Sequence, residues 1–450
     1  MSKFTFLHFV AACSLLADAP QTSINPQIQE IVSQISADKI ADIQKKLESF
    51  GTRNIYSSTD DPVHGIGAAR KWIAAQLRSY SPRLQVSFDK HRLAKQGRAF
   101  RNVEIWSVLA VLPGTSEPER HVIVSGHYDS IHMVYRSGVN GERELAPEAT
   151  VAAPAPGVTD DGSGTAAVME LARVMSRYQF RKSIVFIAFA AEEYGLFGSG
   201  LYAEDAAAKH DIIEGVFNND IIGSDQSGNA ETSNRYVNVY SEEPNDSNSR
   251  QLARYMKQMA ERYQPGFQVN LVFRHDRFGR GGDHSPFNGA GYAAVRITTP
   301  MENFSNQHTA TDTFANTAPA YTALVTKANA AAIAALALAP KAPDLRTPPA
   351  TGGRVFASPL SRGTGYDALM TWQNDRPEPD LLGYAVVMRS TTSPVWEKQV
   401  FVGNVTNYTL PNVNIDEVVL GVKAIDRSGD ESPVSAYVTP PYQQRKIETY

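Results

Sequence analysis

The chain has 450 residues, enough for two or three domains and a large buried core. Its composition is 42% hydrophobic and 20% charged, with 43 Lys plus Arg against 47 Asp plus Glu and a net charge of −4. That balance is ordinary for a globular protein and carries no basic block or stripe, so nucleic acid is not an expected partner. Beyond the first twenty or so residues, no stretch reads as apolar over the length of a membrane span.

Residues 1–22, "MSKFTFLHFVAACSLLADAPQT", combine one early charge (Lys3), a mostly apolar stretch and small residues after it. This resembles an export signal, and "VAAC" resembles the box before the lipid-modified cysteine of bacterial lipoproteins. The expectation is an exported chain, secreted or periplasmic, with lipid anchoring through Cys13 as an alternative and a short N-terminal helix as the plainer reading. Cys13 is the single cysteine, which rules out an intramolecular disulfide.

Residues 26–338 read as one domain. Residues 27–50 carry helical periodicity at Ile28, Ile31, Ile35, Ile40, Ile43 and Leu47, and "GIGAARKWIAAQLRSY" predicts a second helix. Strand signals follow at "LQVSF", "NVEIWSVLAVL" and "HVIVSG". Apolar strands ("SIVFIAFAA", "GVFNNDIIG", "YVNVYS", "YAAVRI") then alternate with helical stretches such as "GTAAVMELARVMSRY" and "NSRQLARYMKQMAERY". The closing helix is "AYTALVTKANAAAIAALALA". Alternation of this kind predicts a three-layer α/β sandwich around a mostly parallel sheet. Residues 339–353, "APKAPDLRTPPATGG", read as a linker. Residues 354–440 show short alternating strands separated by turns such as "PEPD" and "DRSGDESP", predicting a small antiparallel β-sandwich that resembles a fibronectin type III domain.

Chemistry enters where strands end. "SIVFIAFAAEEYGLFGS" runs apolar from Ile184 to Ala191 and stops at Glu192 and Glu193. A strand buried on both faces belongs inside a parallel sheet, and the crevice beyond its carboxyl end is where ligands bind. Two carboxylates there need partners. "VIVSGHYDS" supplies His127 and, two residues on, Asp129, suited to orienting that histidine. "GVTDDGSG" supplies Asp160 and Asp161 at a helix start, "VFNNDIIGSD" supplies Asp220, and "MENFSNQHTATDT" supplies His308. Each alone has a plain structural reading, as a cap, a turn or a solvated side chain. Together, two histidines and several acids at one sheet edge suit a pair of divalent cations. Such a pair activates a water for attack on a carbonyl, and one further carboxylate is needed to carry its proton.

"SGHYDS", "GVTDDGSG", "FAAEEYGLFGS", "NNDIIGSD" and "QHTATDT" resemble, in that order, the motifs of the M28 zinc aminopeptidases, over about residues 45–335. The resemblance implies a zinc-exopeptidase fold, two Zn²⁺ (with Mn²⁺ or Co²⁺ as substitutes) and peptide substrates cut at the N-terminal bond. It implies that Asp160, rather than Asp161, bridges the metals. His127 and Asp220 then complete one site, Glu193 and His308 the other, with Glu192 as general base and Asp129 orienting His127. "GRGGDHSPFNGAG" matches the family's Asp-His segment, making Asp283 and His284 candidates for supporting the site or touching substrate. Gln307 stands where some members place a tyrosine. The long segment 131–160 is expected to shape the substrate pocket.

Two other classes compete. A carboxypeptidase, dipeptidase or glutaminyl-cyclase-like relative would share the scaffold, and a silent peptidase-like ectodomain would bind a partner through the β-sandwich, which could equally contact a surface or polymer. Neither a G-x-S-x-G elbow nor H-E-x-x-H occurs, which disfavours serine and thermolysin-type chemistry.

Overall fold

The computed structural model describes residues 24–138, 141–276, 280–345, 359–363, 365–374 and 378–438. The expected signal with Cys13, and residues 346–353 of the expected linker, lie outside the described residues. The first helices are α1 (Pro26–Ser33), α2 (Ala37–Glu48) and α3 (Gly65–Tyr80). Strands β1 (Gln85–Leu93), β2 (Val103–Leu112) and β3 (Glu117–His127) follow, then a hairpin of β4 (Tyr135–Ser137) and β5 (Arg143–Leu145) and the short α4 (Pro147–Ala152). Next come α5 (Gly162–Met175), β6 (Lys182–Phe189), α6 (Phe197–Lys209), β7 (Ile212–Asn219) and β8 (Tyr236–Ser241). The unit closes with α7 (Asn248–Tyr263), β9 (Gln268–Phe273), α8 (His284–Gly289), β10 (Ala294–Thr298) and α9 (Pro319–Leu338).

The periodic stretch 27–50 forms two helices instead of one. The Ser36 side chain accepts from Lys39 N as an N-cap, while the Ser36 N–H donates 2.8 Å to Oε1 of Glu170 on α5. The cap restarts the helix without moving its apolar face, so Ile28, Ile31, Ile40, Ile43 and Leu47 all remain buried.

Eight strands form one mixed sheet in the order β1-β2-β6-β3-β7-β10-β8-β9. Its centre, β6-β3-β7-β10, is parallel, whereas β2 against β6 and β10 against β8 are antiparallel. β6 is buried along its whole length because both faces are covered. Ile184, Phe186 and Ala188 join Val122 and Val124 of β3 in the larger core under α1, α2, α3, α5, α7 and α9. Val185, Ile187 and Phe189 join Ile123 and pack against Ala203 of α6 and Phe287 of α8 on the other side. Burying each large side chain is worth about 1.5–3 kcal/mol, so these strands anchor whatever their carboxyl ends carry.

Helix α9 corrects one sequence expectation. It is 20 residues long, and an 18-residue stretch of it, of mean hydropathy 1.4, is apolar enough to cross a membrane, yet 83% of that stretch is buried inside the protein. It is apolar all round because it touches α1, α2, α5 and α7 as well as the sheet. Edge strand β9, the hairpin and α4 carry only short patterns and were not anticipated.

The C-terminal part holds β11 (Leu360–Arg362), β12 (Ala368–Thr371), β13 (Leu381–Ser390), β14 (Lys398–Gly403), β15 (Asn407–Leu410), β16 (Val418–Asp426) and β17 (Ser435–Ala436). They make a three-stranded sheet, β11-β12-β15, and a four-stranded sheet, β14-β13-β16-β17, all antiparallel. Both sheets feed one core that includes Met370, Trp372, Tyr384, Val386, Leu420 and Val422. This unit docks at the amino end of β6 and on α7. Arg181 reaches Asp380 at 2.9 Å and Asp426 at 3.3 Å and also pairs with Glu378, while Glu431 pairs with Arg262 of α7 at 3.2 Å. It therefore sits at the opposite end of the parallel strands from their carboxyl ends.

Candidate active site

The register of the central strands sets the site. His127 is level with Phe189, and Asn219 with Ile297, so the chain leaves β3, β6, β7 and β10 along one edge. Ala191, Ile221 and His308 take positive φ at this edge (66°, 60° and 56°). A β-branched residue such as Ile221 rarely adopts that conformation, and local strain of this kind collects at functional sites. Glycine is required twice: a Cβ on Gly126 would lie 2.7 Å from the Gly164 carbonyl carbon, and one on Gly164 would lie 2.4 Å from Asn219 O. These contacts let β3, β7 and α5 approach closely enough to gather their polar ends.

Buried acids then lock the loops to one another. Asp161 accepts from His127 N at 3.1 Å, Gly164 N at 2.8 Å and Ile221 N at 3.2 Å, joining three elements through one carboxylate. Asp312 accepts from Thr159 N at 2.9 Å and Asp160 N at 3.0 Å. Asp129 accepts from Glu192 N at 3.2 Å and Glu193 N at 3.4 Å, and its backbone oxygen lies 3.1 Å from His127 Nδ1, nearer than its carboxylate at 3.7 Å. Asp129 thus holds the histidine through its carbonyl and the glutamate pair through its side chain. Buried Arg53 bonds the carbonyls of Leu47, Tyr128, Pro156 and Gly157, and burial lowers its pKa to about 10 against the pull of Asp312 and Asp129.

Within this frame Asp160 is central. Its Oδ1 lies 3.2 Å from His127 Nε2 and its Oδ2 lies 3.0 Å from His308 Nε2. Asp220 Oδ1 is 3.8 Å from His127 Nε2, and Glu193 Oε2 is 3.1 Å from His308 Nε2. Ligand-type atoms of His127, Asp160 and Asp220, and those of Asp160, Glu193 and His308, lie within 4.8 Å of one another in each group. The two groups share Asp160. Glu192 Oε2 is 3.9 Å from His127 Nε2, beside the pair. His127 Nε2 and Glu193 Oε1 are buried without a hydrogen-bond partner among the described residues, an expensive state for polar atoms unless a cation takes them up. The donor set, imidazole plus carboxylate, is the one divalent zinc prefers. The residues fit a divalent-metal centre.

The electrostatics reflect the concentration of buried charge. Burial and the neighbouring Asp220 and Glu193 raise the Glu192 pKa well above the ordinary range, with His127 opposing. Burial also raises Asp129 to about 7. For Asp220 burial raises the value, but Arg296, 3.0 Å away, and His127 together outweigh it and bring the group to about 2. Burial lowers His308, yet Glu193 and Asp160 lift it to about 11. So many acids in one buried place need positive charge.

Asp283 and His284 are buried and do not line the cavity. They start α8 behind Asp220: a Cβ on Gly282 would meet Asp220 Oδ2 at 3.3 Å and His284 Nδ1 at 3.2 Å. Gln307 Nε2 donates to Asp160 Oδ2 at 2.9 Å. Sequence reasoning gave no role to Arg296, Asp312 or Arg53. A charge inside the apolar strand "YAAVRI" and an acid within "QHTATDT" were the available signals for the first two.

A cavity of about 470 Å³ opens over Asp160, Glu192, Glu193, Asp220 and His308, walled by Met133, Tyr194, Leu196 and Phe197 and flanked by Arg98 and Arg280. Residues 107–333 match the family described as Peptidase family M28. The chain belongs to that family. A probable zinc metalloprotease of Leptosphaeria maculans is 34% identical over 438 residues, covering 90% of this chain and 96% of the relative. Among solved structures, the LapA aminopeptidase of Legionella pneumophila superposes with a TM-score of 0.52 at 19% identity, covering 71% of this chain and 77% of that one. A glutaminyl cyclase of Fimbriiglobus ruber gives 0.51 at 18% identity, covering 66% and 95%. For the M28 chain these likenesses establish the zinc-exopeptidase architecture, a large mixed sheet with separate small antiparallel sheets.

Proposed function

We propose that this M28 peptidase is a two-zinc exopeptidase that hydrolyses the N-terminal bond of peptides. The observation that carries the reading is the Asp160 carboxylate, which faces His127 with one oxygen and His308 with the other. His127, Asp160 and Asp220 would hold one ion and Asp160, Glu193 and His308 the second. The bound metals supply Lewis acidity, which lowers the pKa of water and steadies negative charge on a carbonyl oxygen. Glu192 takes the proton of the attacking water and returns it to the leaving amine nitrogen. Asp129 fixes Glu192 and Glu193 by their backbone N–H groups, and Asp161 and Asp312 keep the three loops in register. Mn²⁺ or Co²⁺ would suit the same donors. Both metal groups and the base are present, which favours a hydrolase over a cyclase or a silent binding domain.

The deciding experiment is release of free amino acids from peptides with free or acetylated amino termini, before and after chelation and zinc add-back. Cleavage of only free-amine peptides, lost on chelation and restored by zinc, is expected. Cleavage from the carboxyl end, or none at all by metal-loaded protein, overturns the reading. We further propose that the C-terminal unit is a fibronectin type III-like module that contacts a surface or polymer away from the catalytic cleft, and that the chain is exported.

A further inference from the structure

The catalytic cavity has an unusual charge layout. Outside the metal-binding groups and Glu192, the only charged side chains among its described lining residues are two arginines, Arg98 and Arg280. Arg98 is solvent-exposed and tethered by Nη1 to the backbone oxygen of Glu193 at 3.1 Å. That single bond sets the guanidinium beside the catalytic glutamates, where it makes no ion pair among the described residues. Arg280 stands on the segment leading into α8 and reaches Gln307 Oε1 at 3.3 Å and Glu302 Oε2 at 3.6 Å. It is therefore held in place but only partly neutralised.

The four carboxylates that line the cavity, Asp160, Glu192, Glu193 and Asp220, would be balanced by two divalent ions. The charge then left without a counter-charge is that of Arg98, Arg280 being paired with Glu302, and no further acid is among the described lining residues. A guanidinium has forked donors matched to a carboxylate, and charge-assisted pairs in a sheltered cleft are the strong ones. Met133, Leu196 and Phe197 wall the same space, so the anionic group would be carried on a short aliphatic stem.

We propose that Arg98, with Arg280 in the lining of the same cavity, forms a subsite for a substrate carboxylate, a role that rests on the exopeptidase reading above. The carboxylate has two sources: the side chain of an acidic N-terminal residue, or the α-carboxylate of a peptide short enough to end inside the cavity. Basic residues would be disfavoured in the same position.

The test compares matched substrates: tetrapeptide amides beginning with Glu, Gln or Lys, and dipeptides with free or amidated carboxyl ends. Metal-loaded wild-type protein is expected to prefer Glu over Gln, or the free over the amidated dipeptide, by about 10–100-fold in kcat/KM, with Lys poorest. Which pair shows the preference identifies the source. Arg98→Gln should bring that ratio close to one, whereas a merely structural role, through the Glu193 carbonyl, would depress all substrates alike and leave the ratio unchanged. Equal turnover of acid and amide pairs by wild-type protein overturns the subsite while leaving the exopeptidase standing. Should no peptide be cleaved, calorimetric titration of Glu192→Gln protein with the Glu and Gln tetrapeptide amides and the two dipeptides still decides. Binding that depends on neither carboxylate nor Arg98 overturns the proposal, and a normal melting temperature confirms that the variants are folded.

Discussion

Arg296 Nη2 lies 3.0 Å from Oδ2 of Asp220 while its Nη1 lies 2.5 Å from Asp276, both acids and the arginine being buried. A single cation inside strand β10 thereby aims one oxygen of Asp220 away from the cleft and leaves Oδ1 facing His127. Arg296→Met should take from buried Asp220 its counter-charge, at a cost of about 3–5 kcal/mol for breaking such a pair. Urea unfolding reads the loss directly. Zinc should also bind more weakly, because Asp220 loses its orientation. A variant as stable as wild type would mean that the pair is replaceable.

Glu192→Gln should reduce turnover by at least 10²–10⁴-fold, the range for a lost general base, while two metal ions per chain remain. Gln preserves the hydrogen bond from Glu192 N to Asp129, which uses the backbone. Elemental analysis beside the rate separates this outcome from metal loss. Near-normal turnover would remove Glu192 from the mechanism.

Asp160→Ala should lose both metal and activity, since Asp160 is common to the group with His127 and Asp220 and the group with Glu193 and His308. Full zinc occupancy by elemental analysis would contradict a shared position.

A pH experiment addresses the docking of the C-terminal unit. Burial would raise the Glu431 pKa, but Lys423 at 2.6 Å and Arg262 at 3.2 Å outweigh it and hold the group below its ordinary 4.5. A carboxyl with a depressed folded pKa stabilises the fold fully above its unfolded value, and that contribution fades as pH falls through the folded value. Wild-type protein should therefore exceed Glu431→Gln by about 2 kcal/mol near neutrality, the scale of a charged hydrogen bond. The gap should narrow as pH falls below the ordinary 4.5 and close once pH is below the folded value. Urea midpoints at several pH values check this, and a constant gap would contradict it.

The general architecture was legible because it follows from periodicity. Ile184–Phe189 could only be a strand with two covered faces, and a carboxylate pair at its end had to meet partners. The break at Ser36 was not read because the apolar face continues across it, and α9 was read without its membrane-like length because hydropathy does not say what covers a helix. Of the candidate residues, His127 ends β3, Asp160 precedes α5, Glu192, Glu193 and Asp220 lie just past β6 and β7, and His308 stands in the polar loop after β10, so local pattern marks them as candidates.

What pattern does not contain is distance. The bond from Gln307 to Asp160 spans 147 residues and that from Thr159 to Asp312 spans 153, and each exists only because the parallel strands end in register. Arg53 is silent in the sequence, and the charge in "YAAVRI" and the acid in "QHTATDT" do not name their partners, because a buried charge is assigned only when its counter-charge is seen. The sequence by itself determined the sheet, its buried centre and the kinds of donor at its edge. Tertiary structure decided which oxygens of Asp160 face which histidine, which acids act as staples, and that two arginines overlook the cleft. Burial makes these choices, since removing water leaves each polar group only the partners that the fold brings to it.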